Sequence, residues 1–117
     1  MADAAAVLDS SAILCLLYQE PGSRAVAEAT ANPDQRILVS SVNLCEVVTK
    51  LALGGATAKQ TAIALEPFLQ YVIGFDAEQA RVAGELARST RSLGLSLGLS
   101  LGDRACLALA STRGATA

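Results

Sequence analysis

Short aliphatic runs alternate along the chain with longer stretches in which apolar and polar positions are mixed. Residues 4–8 are apolar and stop at Asp9-Ser10-Ser11, three good helix-capping types, and residues 12–18 are then apolar as far as Glu20-Pro21-Gly22. This predicts a strand, a turn and a helix. Residues 23–30 are Ala-rich with scattered charges and suit a second helix, which Asn32-Pro33-Asp34 ends. Ile37-Leu38-Val39 then reads as a short buried parallel strand, with Ser40-Ser41 capping a third helix over about 42–53. Gly54-Gly55 closes that helix, and a fourth is expected over 56–70, with a third strand at 71–75. From 77 to about 93, Glu78, Arg81, Glu85 and Arg88 recur at helical spacing, which predicts an exposed face laced with ion pairs. A last helix is expected from near Asp103 to Arg113.

Alternating strands and helices of these lengths imply an α/β fold, a three-layer α/β/α arrangement around a mainly parallel sheet. One segment departs from this plan. Between Leu93 and Gly102 the tetrapeptide Leu-Gly-Leu-Ser occurs twice in tandem, with Leu at every odd position. The alternation is that of a strand, but Gly94, Gly98 and Gly102 weaken strand and helix alike, so a flexible, sticky loop is expected. The stretch is too short for a membrane dimerisation helix.

At 117 residues the chain fits one domain, residues 1–117, and its 52% apolar content can build a core. With Tyr18, Phe68, Tyr71 and Phe75 its only aromatics, that core must be aliphatic. No aliphatic run approaches the roughly 20 residues of a membrane span, and no basic, uninterrupted leader is visible, so a cytoplasmic location is expected. Cys15, Cys45 and Cys106 lie far apart in apolar stretches and read as packed thiols rather than a zinc site or a disulfide framework. The chain has no histidine, which removes Ser-His-Asp and Cys-His catalysis. A net charge of −2 gives no global attraction for nucleic acid.

Chemistry is thereby left to carboxylates. In a parallel sheet, ligands bind beyond the carboxyl ends of the strands, and Asp9 stands at the exit of the first. It could cap the next helix, or Ser10 and Ser11 could do so and free it. Glu46 sits on a helix bearing Leu44, Val47, Val48 and Leu51 on one face and Val42, Cys45 and Leu53 elsewhere, a pattern that predicts burial. A buried carboxylate needs a partner, either Lys50 one turn on or a cation. Asp103 opens the final helix, where capping and ligand binding are again alternatives. Brought together, three carboxylates would repel one another unless a divalent ion neutralised them, and oxygen donors suit Mg²⁺ or Mn²⁺. Such an ion supports phosphodiester hydrolysis without histidine.

Three stretches carry a family resemblance: Val7-Leu8-Asp9-Ser10-Ser11-Ala12-Ile13-Leu14, Val39-Ser40-Ser41-Val42-Asn43-Leu44-Cys45-Glu46-Val47, and Leu101-Gly102-Asp103-Arg104-Ala105-Cys106-Leu107-Ala108-Leu109-Ala110. In this order, with the βα alternation, the chain resembles the PIN-domain family over nearly its whole length, and within it the VapC-like ribonuclease toxins of toxin–antitoxin pairs. The resemblance implies a metal-dependent endoribonuclease acting on RNA, usually a homodimer, inhibited by a small antitoxin whose tail enters the active site. It sets Asp9, Glu46 and Asp103 on acidic metal-site positions, with Ser10 and Asn43 as supporting polar groups. Arg104 beside the site, with Arg81, Arg88 and Arg91 on the preceding helix, would meet RNA phosphates or form a solvated ion-pairing face.

The family carries a further strand with a fourth acid in a Thr-x-Asp pattern, where this sequence reads Ser111-Thr112-Arg113-Gly114-Ala115-Thr116-Ala117. The C-terminal strand or strands are therefore expected to be missing or altered, with the edge of the first strand uncovered. By the topology that the resemblance implies, Asp76 leaves an edge strand away from the pocket and is no obvious substitute. Two other readings follow: a catalytically impaired PIN domain that acts only in antitoxin binding or self-association, and a phospho-acceptor receiver domain. Against the receiver stand Ser10, where an acidic pair is needed, and the lack of any lysine after Lys59.

Overall fold

The computed structural model describes residues 4–92 and 99–115. The elements run β1 (Ala4–Leu8), α1 (Ser10–Tyr18), α2 (Ser23–Ala31), β2 (Gln35–Ser40), α3 (Ser41–Leu53), α4 (Ala58–Leu65), a 3₁₀ segment (Glu66–Tyr71), β3 (Val72–Ile73), α5 (Ala77–Ser92) and α6 (Leu101–Arg113). The sheet is parallel throughout, in the order β1-β2-β3, with Val7 opposite Leu38 and Val39 opposite Val72. This is the α/β arrangement expected.

Strand alternation sends neighbouring side chains to opposite faces, and the core divides accordingly. Leu8, Ile37 and Val39 join Ile13 and Leu14 of α1, Val47 and Leu51 of α3, and Leu65 and Phe68. Val7 and Leu38 point the other way, against Cys106, Leu109 and Ala110 of α6. Helices therefore cover both faces, and α6 lies directly over the β1–β2 pair. Each aliphatic side chain so buried is worth about 1.5–3 kcal/mol.

Three expectations need correction. The fourth helix stops at Leu65 rather than running to 70, because Pro67, in the first turn of the 3₁₀ segment, has no N–H for an α-helical bond. The third strand has two residues, not five: Phe75 donates its N–H to Ser41 Oγ (3.0 Å) and the Gly74 carbonyl accepts from Gln79 Nε2 (3.0 Å), which takes the chain off the ladder. Helix α3 is not buried all round, since Cys45, Val48 and Lys50 are exposed and Leu53 is 83% exposed. Along α5, Glu85 and Arg88 form one i,i+3 bridge (3.7 Å) among the described residues, and the side chain of Arg91 lies outside them. Of the Leu-Gly-Leu-Ser repeat, residues 93–98 also lie outside, whereas Leu101 and Gly102 begin α6 two residues before Asp103.

At its far end α6 closes on Gly114 in the left-handed region (φ 63°), with the Ala115 N–H returning to the Ala110 carbonyl (2.8 Å). Helix α1 closes the same way without a glycine: Gln19 takes φ 52° while the Glu20 N–H reaches the Cys15 carbonyl (3.0 Å). The outer edge of β1 has no strand beside it among the described residues.

Candidate active site

Asp9 follows the last residue of β1 and caps α1: its Oδ1 accepts the Ala12 N–H at 2.8 Å. The alternative in which Ser10 or Ser11 caps and releases the carboxylate is not adopted. Ser10 turns to α3 instead and donates its hydroxyl to Glu46 Oε1 at 3.1 Å. Helix α3 begins directly at the end of β2, capped by Ser40, whose Oγ accepts the Val42 N–H (3.2 Å). One turn in, the fully buried Asn43 donates through Nδ2 to Glu46 Oε1 and to the Gly102 carbonyl, both at 3.1 Å. Glu46 is half-buried and draws its compensation from these neutral donors; Lys50, the partner its spacing suggested, forms no ion pair with it. The Asn43 Oδ1 is buried with no hydrogen-bond partner among the described residues.

Asp103 is exposed in the first turn of α6 and forms a reciprocal capping box with Ser100: Ser100 N–H to Asp103 Oδ2 (3.2 Å), Asp103 N–H to Ser100 Oγ (3.1 Å). Asp9 and Asp103 line one cleft of about 280 Å³, together with Leu99, Cys106 and Leu107. The thiol at Cys106 registers both acids. Burial, with the Asp9 and Asp103 charges adding to it, pushes its pKa up from 9.0 to about 11. Cys106 is therefore a neutral packing group near pH 7.

Glu46 does not line this cleft but lies against the first turn of α6, where Gly102 makes its approach feasible. The Gly102 backbone lies so close to the Glu46 carboxylate that a Cβ there would overlap all three of its carboxyl atoms. In the sequence Gly102 belongs both to the Gly-weakened repeat and to the third family stretch, with no role of its own assigned. The available signal was a glycine inside the first turn of a helix, immediately before a candidate acid, where helix propensity alone disfavours it. Arg104, next to Asp103 in α6, also makes contacts that its position did not suggest. It is half-buried, with Nε donating to the Leu99 carbonyl (3.3 Å) and Nη1 to the Ala83 carbonyl (3.0 Å), and so braces α6 against α5. Asp76 caps α5 by accepting the Gln79 N–H at 2.9 Å, beyond the edge strand β3.

The donors around this cleft are carboxylate and hydroxyl oxygens, the chemistry of a hard divalent cation. Asp9 Oδ2, Glu46 Oε2 and Asp103 Oδ1 accept no hydrogen bond among the described residues, so each acid keeps one oxygen uncommitted. No group of three or more His, Cys, Asp or Glu side chains is spaced to enclose an ion among the described residues. Mg²⁺ does not require such a cage, since one or two carboxylates and several waters commonly hold it. The donor set fits.

A parallel sheet with acids at the exit of β1, on the helix after β2 and in the first turn of a helix crossing the opposite face defines a recognisable class. The PIN domain family model matches residues 6–117, and the chain belongs to that family. Among solved structures, it is similar to a chain of VapBC2 from Rickettsia felis, bound there to a DNA fragment from the promoter (TM-score 0.74, 20% identity, covering 95% of this chain and 83% of that one). It is similar also to a chain of VapBC-1 from nontypeable Haemophilus influenzae (TM-score 0.69, 19% identity, 95% and 82% covered). No curated protein sequence matches it. No helix among the described residues is long and apolar enough to cross a membrane.

Proposed function

We propose that this chain is a Mg²⁺- or Mn²⁺-dependent endoribonuclease toxin of a toxin–antitoxin pair, hydrolysing RNA phosphodiester bonds. The observation that carries the reading is the shared Asp9–Asp103 cleft, with Glu46 bonded to Ser10, the residue after Asp9, and packed against Gly102, the residue before Asp103. Asp9, Glu46 and Asp103 would hold the ion, which when bound supplies an activated water and stabilises charge on the phosphate. The protein's own contribution is positioning. Asp9 and Asp103 are oriented by the backbone N–H groups that they cap, and the first turns of α1 and α6 present the positive ends of their dipoles to an incoming anion. Ser10 and Asn43 fix one oxygen of Glu46 and leave the other available. The similarity to VapBC chains supports a small antitoxin as partner, and the family resemblance supports a homodimer.

The capping work of Asp9 and Asp103, with no closed three-ligand group among the described residues, favours a second reading: a PIN domain that binds its antitoxin without cleaving RNA. One experiment separates the two. Purified protein is incubated with structured RNA in Mg²⁺ or Mn²⁺, with EDTA and Asp9→Asn as controls. The nuclease reading expects cleavage by the parent alone; equal cleavage by Asp9→Asn would refute the metal site. An inert parent that still binds a cognate antitoxin would establish the binding-only reading.

A further inference from the structure

Beside the acidic cleft, a second pocket of about 560 Å³ opens between α3 and the first turn of α6. Its walls include Val42, Cys45, Thr49, Lys50 and Leu101; Glu46 also lines it, and Leu101 and Gly102 on its wall lead directly into Asp103 of the cleft. The volume lies in the range of ligand pockets, roughly 300–1,000 Å³. Two features identify the occupant. The walls are chiefly apolar, with the Thr49 hydroxyl and the Cys45 thiol between aliphatic groups, which suits a flat heterocycle with polar edges. Lys50, exposed at this pocket, makes no ion pair among the described residues, and in a chain of net charge −2 it is a local cation available to a phosphate.

We infer that this pocket is a nucleotide subsite: it takes the base of a single-stranded nucleotide next to the scissile phosphate, with Lys50 on that nucleotide's phosphate. The inference rests on the ribonuclease reading, which places the scissile bond among Asp9, Glu46 and Asp103, the second of which lines this pocket. The base is held between aliphatic side chains rather than stacked on an aromatic ring, since no aromatic among the described residues lines the pocket. Lys50 contributes charge attraction, and the apolar walls and Thr49 contribute base preference.

Cys45 provides a direct readout, being an exposed thiol in the pocket wall. The rate of iodoacetamide alkylation at Cys45 is measured by peptide mass spectrometry in Mg²⁺, with each of the four nucleoside 5′-monophosphates, with ribose 5-phosphate and with an apolar peptide. These ligands have no internucleotide bond, so the readout is binding alone. A bound nucleotide slows alkylation by the factor 1 + [L]/Kd, about threefold at twice its Kd, and leaves Cys15 unchanged. At least one nucleotide is expected to protect more strongly than ribose 5-phosphate, and Lys50→Gln is expected to lose most of that protection. The inference is overturned if no nucleotide protects at about 10 mM, a Kd too weak for a subsite. It is overturned equally if ribose 5-phosphate matches the nucleotides, if Lys50→Gln protects like the parent, or if only the apolar peptide protects. RNA cleavage without protection would refute the subsite and leave the nuclease standing; protection in a chain that cleaves nothing would support the subsite and refute the nuclease.

Discussion

Replacing Gly102 by alanine is expected to uncouple Glu46 from the site, with an effect whose sign depends on Glu46 itself. A methyl group at position 102 would occupy the space of the Glu46 carboxylate, so either the carboxylate swings away or α6 lifts from α3. If Glu46 swings, it gives up the hydrogen bonds from Ser10 and Asn43, each to a charged acceptor and worth about 1.5 kcal/mol at the low end of such bonds. Alanine in a helix gains about 1 kcal/mol over glycine. The net loss is about 2 kcal/mol, read as a lower urea midpoint at constant m value. In a Glu46→Ala background there is nothing left to displace, and Gly102→Ala should then stabilise the protein by up to about 1 kcal/mol. Equal destabilisation in both backgrounds would refute the argument, because the obstruction would then lie elsewhere.

Asp9→Asn keeps a good cap, so it should unfold within about 0.5 kcal/mol of the parent while metal-dependent cleavage is lost; Asp9→Ala should cost a further ~1 kcal/mol in a denaturant titration. Because the Cys106 thiol is raised from 9.0 to about 11, the unfolded chain releases its proton first as pH rises; Cys106 therefore removes stability between pH 9 and about 11 and none below. Unfolding midpoints of Cys106→Ala should accordingly fall less steeply than those of the parent across that window. Gln19→Gly should stabilise by about 1 kcal/mol in thermal or urea unfolding, since glycine takes the left-handed conformation without a Cβ penalty. Arg104→Met should destabilise by about 1–3 kcal/mol through the loss of its two carbonyl contacts, yet leave the salt dependence of RNA binding unchanged; a slope reduced by about one would instead make it a phosphate contact.

What could be read from the sequence was whatever local patterning determines. The strands at 4–8 and 35–40 and the helices after them follow from short aliphatic runs ending in capping residues, and Pro33 and Gly54-Gly55 mark real boundaries. Where a tertiary partner decides, the reading failed. The third strand is cut short by Ser41 and Gln79, side chains that take over backbone groups from the ladder. Hydropathy around Glu46 suggested an enclosed helix, but exposed Val48 and Leu53 are equally hydrophobic, and composition cannot say which face of a helix meets a neighbour. The acids at 9, 46 and 103 could be nominated from their positions relative to strands and helix starts. That Asp9 would cap its own helix while Ser10 crossed to Glu46 depends on the separation of α1 and α3, and the role of Gly102 depends on how closely α6 approaches α3. The bracing by Arg104 was hidden for the same reason: its partners, the Ala83 and Leu99 carbonyls, are invisible as residue types.

The bonds that join Ser10 to Glu46 and Asn43 to Gly102 link parts of the chain 36 and 59 positions apart, and Cys106 closes on Val7 across 99. A domain of this kind folds as a unit once its elements have emerged from the ribosome. A chain in which α6 has not yet packed therefore holds Asp9 and Glu46 without Asp103. The hazardous chemistry proposed for this protein waits until α6, which carries Asp103, has joined the strands and helices that precede it.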